Sequence, residues 1–404
     1  MLAPLLSRSY RHLFAAQVIA LLGTGLATIA LGLLAYDLAG QNASLVLGTV
    51  FTIKMLAYVS IAPIAGAFAD RFNRRKLLVA LDIVRAAAAI SLPFVTAVWQ
   101  VYILIFLLQS ASAAFTPTFQ ATIPDVLTEE ADYTKALSLS RLAYDLENIL
   151  SPAIAGALLV FLTYDALFIG TVFGFLASAL LVGTVLLPNA DIPERTGFYD
   201  RTTRGIRIYM ATPRLRGLLA LNLAAAAAGA MVLVNTPLLV REFLGKPESA
   251  VAWTLFAFGL GSMLAAVILP RLLEHFIDRS IMLLGAVLML TALLGFEWIT
   301  VSDGLTWTGL LLVWFCSGLG YAAVLTPAGR LLRRSSEIAD RPALFAAQFA
   351  LSHLCWLLTY PLSGWLMTRF GPQAAVAGLA VLVSLGLIAA PLLWPRQAGS
   401  AAEH

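Results

Sequence analysis

The feature that most constrains this chain is a series of long apolar segments, separated by mostly short polar connections. About 20 apolar residues are enough to cross a bilayer as a helix. Only 12% of the residues are charged, against about 25% in an ordinary soluble domain, so a soluble fold is excluded. We predict an all-α membrane protein with twelve transmembrane helices. The twelve segments lie near residues 12–37, 44–69, 77–98, 101–123, 137–162, 165–187, 216–240, 249–270, 280–300, 306–329, 342–367 and 372–394.

The basic residues indicate which side of the membrane each connection faces. If the N-terminus is placed in the cytoplasm, 20 of the 26 Lys and Arg residues fall on the cytoplasmic side. Cytoplasmic loops of membrane proteins carry such an excess of basic residues. We therefore predict that both termini are cytoplasmic. The same asymmetry accounts for the net charge of +4, so nucleic acid is not an expected partner.

One connection is longer than the others and divides the chain into two halves. Residues 189–216 carry six arginines together with scattered prolines and glycines. We predict an N-terminal six-helix bundle over 1–188, a basic cytoplasmic linker over 189–216, and a C-terminal six-helix bundle with a short tail over 217–404. A second interpretation of the linker is an amphipathic segment that binds anionic lipid.

The two halves match in the spacing of some residues. Thr116-Pro117, at the end of the fourth segment, recurs as Thr326-Pro327 at the end of the tenth, 210 residues later. Both pairs keep the same orientation in the predicted topology. Parallel repeats of this kind are typical of transporters whose halves are related by an axis along the membrane normal.

The connection between the second and third segments carries the most specific motif, which includes Gly66, Asp70, Arg71, Arg74 and Arg75. The pattern glycine-x-x-x-aspartate-arginine-x-x-arginine-arginine closely resembles the signature of the major facilitator superfamily. A glycine lets two helices meet closely, and arginines can clamp a facing carboxylate. These residues are therefore candidates for a conformational latch. The alternative interpretation is an ordinary basic loop on the cytoplasmic side.

Further segments resemble the drug- and siderophore-exporter branch of this superfamily, the transmembrane secretion effectors. They are Tyr36-Asp37-Leu38-Ala39-Gly40, Asp82-Ile83-Val84-Arg85, and Thr116-Pro117 through Ile123-Pro124-Asp125. The resemblance implies a major facilitator fold, in which two six-helix bundles enclose a central cavity and work by alternating access. It also implies a bacterial inner (plasma) membrane, a small-molecule substrate, protons as the coupling ion, and no cofactor.

Two departures bear on the coupling mechanism that the resemblance implies. The fourth segment, from Tyr102 to Phe119, has no charged residue, although many proton-coupled exporters carry an arginine there. The fifth-segment motif glycine-proline-x-x-glycine-glycine is present only as Ser151-Pro152-Ala153-Ile154-Ala155-Gly156. These departures count against proton antiport, because a proton relay of the family's kind would lack a part in this chain.

Charged residues inside the predicted spans are the natural candidates, because a charge at mid-membrane is costly unless it is paired or faces water. Asp82 with Arg85, and Arg141 with Asp145, are spaced to share one helical face near the cytoplasmic edge. This spacing favours structural ion pairs in a charge network. The full set is Lys54, Asp82, Arg85, Arg141, Asp145 and Glu147.

Lys54 and Glu147 lie deeper, about 15 Å from the nearest predicted membrane edge at 1.5 Å per residue. They could form a cross-helix bridge, a proton carrier with its regulator, or separate substrate ligands. We predict that Glu147 couples transport to protons, with Asp145 as the reserve. His353, at a similar depth in the eleventh segment, is either a second proton site or a neutral imidazole bonded to a neighbouring helix.

The predicted cavity has both polar and aromatic walls, which suit an amphipathic substrate better than a sugar. The polar candidates are Gln17, Gln109, Asn222 and Asn235, and the aromatic ones include Phe14, Phe106, Phe115, Trp253, Phe256, Trp314, Tyr321 and Trp356.

The sequence lacks the residues that nucleotide binding and metal binding require. No phosphate-loop lysine follows any glycine pair, so we expect neither nucleotide binding nor ATP-driven transport. The four histidines are scattered, so no metal site is expected. We predict a monomeric secondary transporter, not an enzyme, that exports a small amphipathic compound by proton antiport within membrane lipid. The rival functions are transport of a metal ion or lysolipid, and a receptor or assembly factor that does not transport.

Overall fold

The structure is a computed structural model, described for residues 3–68, 73–127, 129–185, 198–302, 304–337 and 340–394. Every regular element in these ranges is helical. The α-helices are α1 (Arg8–Ala39), α2 (Ala43–Phe68), α3 (Arg74–Ser91), α4 (Val98–Val126), α5 (Glu130–Leu158), α6 (Asp165–Gly183), α7 (Phe198–Ala211), α8 (Pro213–Leu238), α9 (Glu248–His275), α10 (Asp278–Ser302), α11 (Trp307–Leu325), α12 (Ala328–Arg334) and α13 (Arg341–Leu393).

Nine helical stretches in the described part of the chain are long and apolar enough to cross a membrane. Two of them are about twice the usual length, with 55 residues in Arg8–Ala62 and 51 residues in Ala343–Leu393. Each is interrupted at a glycine with positive φ, at Gly40 (φ 51°) and at Gly371 (φ 84°). Only glycine adopts such backbone angles without strain, so these two residues mark where one helix ends and the next begins.

The chain divides into two compact units that do not follow the order of the sequence. Unit 1 consists of Met1–Glu194 and Thr236–Phe256, and unit 2 of Arg195–Asn235 and Ala257–His404. The C-terminal end of α8 and the first turns of α9 therefore belong with the N-terminal helices.

Within unit 1, α1 and α6 pack closely because both present glycine at the contact. A Cβ atom on Gly23 would lie 3.3 Å from the Cα of Thr171, and one on Gly174 would lie 3.1 Å from the carbonyl oxygen of Ile19. The Thr171 hydroxyl donates a 2.8 Å hydrogen bond to the carbonyl of Gly23. In a membrane, such small residues let backbones approach and gain dispersion energy that apolar side chains alone do not supply.

In unit 2, glycines likewise let α9 and α11 pack closely where they cross. A Cβ atom on Gly261 would overlap the carbonyl oxygen of Phe315, and one on Gly318 would overlap that of Phe258. Gly261 and Gly318 therefore serve helix packing.

The second half of the predicted linker forms the helix α7, which packs on the start of α13 within unit 2. A Cβ atom on Gly205 would overlap the carbonyl oxygen of Ala343, so only glycine fits at this crossing. Tyr209 is fully buried and donates a 2.6 Å hydrogen bond to Gln348. Burial raises the pKa of the Tyr209 hydroxyl, which keeps it protonated as a donor.

Candidate functional site

Unit 1 brings together two of the deep charges identified in the sequence. Lys54 lies on α2 and Glu147 on α5; both are partly buried, and their opposite charges interact. Glu147 packs beside Gly25 of α1, where a Cβ atom would lie 3.3 Å from its Cγ and would overlap Ser151. Glycine at position 25 thus leaves room for the side chains of α5.

Further polar groups lie next to this pair. Tyr58, one turn after Lys54 on α2, shares a hydrogen bond with Thr116 of α4 and interacts electrostatically with Glu147 and Arg85. We call Lys54, Tyr58, Thr116 and Glu147 the polar group of unit 1. Three helices, α2, α4 and α5, contribute to it, and an ionisable acid with a facing base can hold and release a proton.

A second charge pair of unit 1 is enclosed by its neighbours. Arg85 forms an ion pair with Asp82 one turn earlier on α3, and both side chains are buried. The hydroxyl of Ser178, on α6, donates a 2.8 Å hydrogen bond to Asp82. The Arg85 guanidinium lies 4.0 Å from the ring centre of Phe115 and 4.5 Å from that of Phe175. A buried ion pair with hydrogen-bonding and aromatic neighbours of this kind is typical of a structural role.

Several predicted site residues lie outside the described part of the chain. Asp70 and Arg71 of the latch motif are among them, as are the side chains of Arg141 and Asp145 and the surroundings of Gly66. Of the remaining motif residues, Arg74 is buried and Arg75 is partly exposed in the first turn of α3.

The polar residues predicted to line the cavity are all buried, but they differ in their partners. Gln17 accepts a 3.0 Å hydrogen bond from Ser140. Asn235 donates to the hydroxyl of Ser363 at 2.9 Å. Asn222 is 3% exposed, and neither atom of its amide has a hydrogen-bond partner in the described part of the chain. An unpaired buried amide is costly, so Asn222 is the strongest of these candidates for a ligand contact.

The remaining two predicted residues lie on α4 and α13. Gln109 of α4 is 7% exposed. The Nδ1 of His353 lies 2.7 Å from the carbonyl of Phe349, one turn earlier on α13, so this hydrogen bond stays within its own helix. Because a carbonyl only accepts, this nitrogen carries the proton in that bond.

A row of aromatic rings runs through unit 2. The ring centres are 5.4 Å apart for Phe258 and Tyr321, 6.3 Å for Tyr321 and Trp356, and 4.8 Å for Trp356 and Tyr360. A Cβ atom on Gly229 of α8 would overlap the Trp356 ring, so α8 packs directly on the row. We call these four side chains the aromatic row. Tyr321 and Trp356 were identified from the sequence, whereas Phe258 and Tyr360 were missed, although Trp356 and Tyr360 are one turn apart.

Other aromatic residues named from the sequence lie in different surroundings. Trp314 is fully buried, with its ring centre 5.8 Å from that of Phe296, and so belongs to the helix core. Phe106 is 52% exposed, and Phe14 stacks on Tyr10. Trp314 was expected on a cavity wall, and its buried position reflects the rotation of its helix. Apolar residues occupy every face of a membrane helix, so composition alone does not say which face meets a cavity.

One membrane acid was missed. Glu297, near the end of α10, is partly buried, and its Oε2 has no hydrogen-bond partner in the described ranges. The available signal was an acid inside the ninth predicted segment. No group of three or more His, Cys, Asp or Glu side chains suited to a metal ion occurs among the described residues.

Long apolar helices of this number and length define a multi-pass membrane protein. The fold is that of known transporters: the nucleoside transporter NupG superposes with a TM-score of 0.77 at 14% identity, over 95% of this chain and 99% of NupG. The sequence profile of the transmembrane secretion effectors matches residues 1–328. The chain therefore belongs to the transmembrane secretion effector family of major facilitator transporters, as the motifs had indicated.

Proteins of similar sequence are also named as transporters or efflux proteins. The MFS-type transporter YfiS of Bacillus subtilis is 28% identical over 64% of this chain and 63% of YfiS, which is less than two thirds of its length. Macrolide efflux protein A of Streptococcus pyogenes is 25% identical over 70% of this chain and 72% of that protein. The staphyloferrin A transporter of Staphylococcus aureus is 25% identical over the same shares.

Proposed function

We propose that this transporter exports a small amphipathic organic compound by alternating access, in exchange for protons. The observation that carries the proposal is Glu147, an acid on α5 whose charge is opposed by Lys54 on α2. An acid that meets a lysine in one state and water in another binds a proton more tightly when the lysine is distant. Relatives named for macrolide efflux and staphyloferrin transport support a small organic compound as the substrate.

The proposed architecture has twelve spans in two six-helix bundles, 1–188 and 217–404, joined by the linker 189–216. Nine stretches in the described ranges are candidate spans, two of them have the length of two spans, and α5 would supply the remaining one. We place both termini in the cytoplasm of a bacterial cell, with the protein as a monomer in the inner membrane.

The orientation is tested with a reporter at Gly197, in the linker. A fused fluorescent protein should fold and emit there, because the linker is cytoplasmic in this topology. The matched site is Gly245, between α8 and α9, where alkaline phosphatase should be active instead. Active phosphatase at Gly197 contradicts the orientation.

The aromatic row of unit 2 is the proposed substrate contact. Aromatic faces bind apolar and cationic groups, and the amide of Asn222 offers a donor and an acceptor for a polar group. Trp356→Ala should raise the KM for export of an aromatic or macrolide substrate by about tenfold, which is the loss of one good aromatic contact of about 1.5 kcal/mol. Trp298→Ala, at a tryptophan that is 74% exposed, is the control and should leave the KM unchanged.

The function itself is tested in proteoliposomes that hold a pH-sensitive dye. A panel comprising a macrolide, ethidium and a carboxylate siderophore is added under an imposed pH gradient. We expect at least one compound to move uphill and to draw a counterflow of protons. Uphill export that persists when the pH gradient is abolished would refute proton antiport, and downhill leak alone for every compound would refute the exporter.

A further inference from the structure

Unit 2 contains an apolar groove of about 700 Å³ between α8 and the first half of α13. On α8 the groove is lined by Leu219, Ala220 and Leu223. On α13 the wall includes Leu351, Leu354 and Leu358, at the i, i+3, i+7 spacing of one helix face. The α13 wall is therefore a continuous apolar stripe about 10 Å long at 1.5 Å per residue.

The groove is open on one side. Leu354 and Leu358 are 56% and 53% exposed, so the protein leaves more than half of each side chain uncovered. In a chain that crosses a bilayer, an open apolar groove of this kind is accessible to an acyl chain.

One charged residue, Arg216, lines the groove, in the first turns of α8. Two helices end near Arg216. Met210, near the end of α7, and Leu393, at the end of α13, also line the groove. A cation at the end of an apolar groove, close to the membrane surface, is complementary to an anion that carries a hydrocarbon chain.

Two other arginines of unit 2 donate hydrogen bonds to backbone carbonyl groups, whereas the Nε of Arg216 has no such bond among the described residues. Arg214 donates to the carbonyl of Arg334, and Arg279 donates to the carbonyl of Trp394. The Nε of Arg216 is buried and has no hydrogen-bond partner within the described ranges. A buried guanidinium donor without a partner favours an anionic ligand, and phosphate matches its geometry.

We propose that this groove binds one anionic phospholipid, with its phosphate on Arg216 and an acyl chain between α8 and α13. The site would join the linker helix α7, through Met210, to the membrane leaflet on that side. The inference rests on the membrane location of the family and does not depend on the export function.

The test uses the full-length protein in detergent and counts bound lipids by native mass spectrometry during titration with phosphatidylglycerol or phosphatidylcholine. The wild type should bind one phosphatidylglycerol about tenfold more tightly than phosphatidylcholine. Both lipids carry a phosphate, but the ammonium group of choline cancels the net charge of the second lipid and repels the Arg216 guanidinium. Arg216→Gln should abolish this preference and Arg216→Lys should retain part of it. Arg333→Gln, at an exposed arginine at the end of α12, is the matched control and should keep it.

A second variant tests the groove without changing charge. Leu358→Trp fills the end of the groove away from Arg216 and should lower phosphatidylglycerol binding even if Arg216→Gln does not fold. The proposal is overturned if the wild type shows no preference between the two lipids, if Arg216→Gln keeps the preference, or if Leu358→Trp binds as the wild type does. Competition by inorganic phosphate at the same concentration as the lipid would also overturn it, because it would show an anion site that ignores the acyl chain.

Discussion

The hydroxyl of Tyr36, near the end of α1, donates a 2.8 Å hydrogen bond to Oε2 of Glu242, in the helical turn that follows α8. Arg241, the preceding residue, holds its guanidinium 5.6 Å from the centre of the Tyr36 ring. Both ends belong to unit 1, although they are 206 residues apart in sequence. The contact therefore ties the end of α1 to a segment from the second half of the chain.

If the protein works by alternating access, this bond should be formed in only some of its conformations. Tyr36→Phe should then shift the conformational equilibrium about two- to fivefold, because an exposed charged contact contributes about 0.5–1 kcal/mol. The measurement is the labelling rate of a cysteine introduced at Asn42 with a membrane-impermeant maleimide, after Cys316 and Cys355 are replaced by serine. Tyr102→Phe, which removes a hydroxyl from α4, is the control, and equal labelling in both variants argues against the idea.

The enclosed pair on α3 leads to a prediction about stability. Asp82→Ala should strongly destabilise the protein, by about 3–5 kcal/mol, because it leaves the Arg85 charge buried without its carboxylate. The expected readout is a large fall in the thermal unfolding midpoint in detergent. Removing both charges in Asp82→Ala/Arg85→Leu should recover part of this loss.

The control for this prediction is the partly exposed pair on α5, where Lys135 and Asp132 lie 2.9 Å apart. Asp132→Asn should change stability by about 1 kcal/mol or less, as solvent-accessible ion pairs do. Equal midpoints for the Asp82 and Asp132 variants would mean that the α3 pair is not structural.

Replacement of Glu147 by Gln tests energy coupling. The amide keeps the shape of the side chain but cannot release a proton, so proton-driven uphill export should be lost while counterflow exchange of substrate continues. Glu297→Gln, at the other partly buried acid noted above, is the matched variant and should retain uphill export. If Glu147→Gln transports uphill with an unchanged pH dependence, then the acid is structural and Asp145, Asp82 and His353 become the candidates.

The latch motif yields the last prediction. Asp70→Asn removes the carboxylate expected to hold the cytoplasmic side closed, so export should fall by about tenfold, the effect of roughly 1.4 kcal/mol, with normal membrane insertion. Cysteine labelling from the cytoplasmic side should rise. Glu129→Gln, at an exposed acid before α5, serves as the comparison. Wild-type export together with wild-type labelling would show that Asp70 has no such role.

The sequence by itself determined that the chain is a multi-pass membrane protein, and its motifs indicated the family. Hydrophobic length is a one-dimensional property, so the apolar segments were visible without a structure. The motif around Gly66 and Asp70 is also readable from the sequence alone, and it indicated the family. The pairing of Asp82 with Arg85 was also predictable, since residues three apart share a helix face.

Only the tertiary structure decided which residues meet across helices. Ser178 and Phe175 come from α6 to enclose the α3 pair, and no local pattern indicates that. Trp314 was expected on a cavity wall but lies in the core, and Asn222 was one of four similar amides until the structure showed no partner for it among the described residues. The physical reason is that membrane helices are apolar on every side, so their rotation and crossing points follow from packing against other helices and not from hydrophobic periodicity.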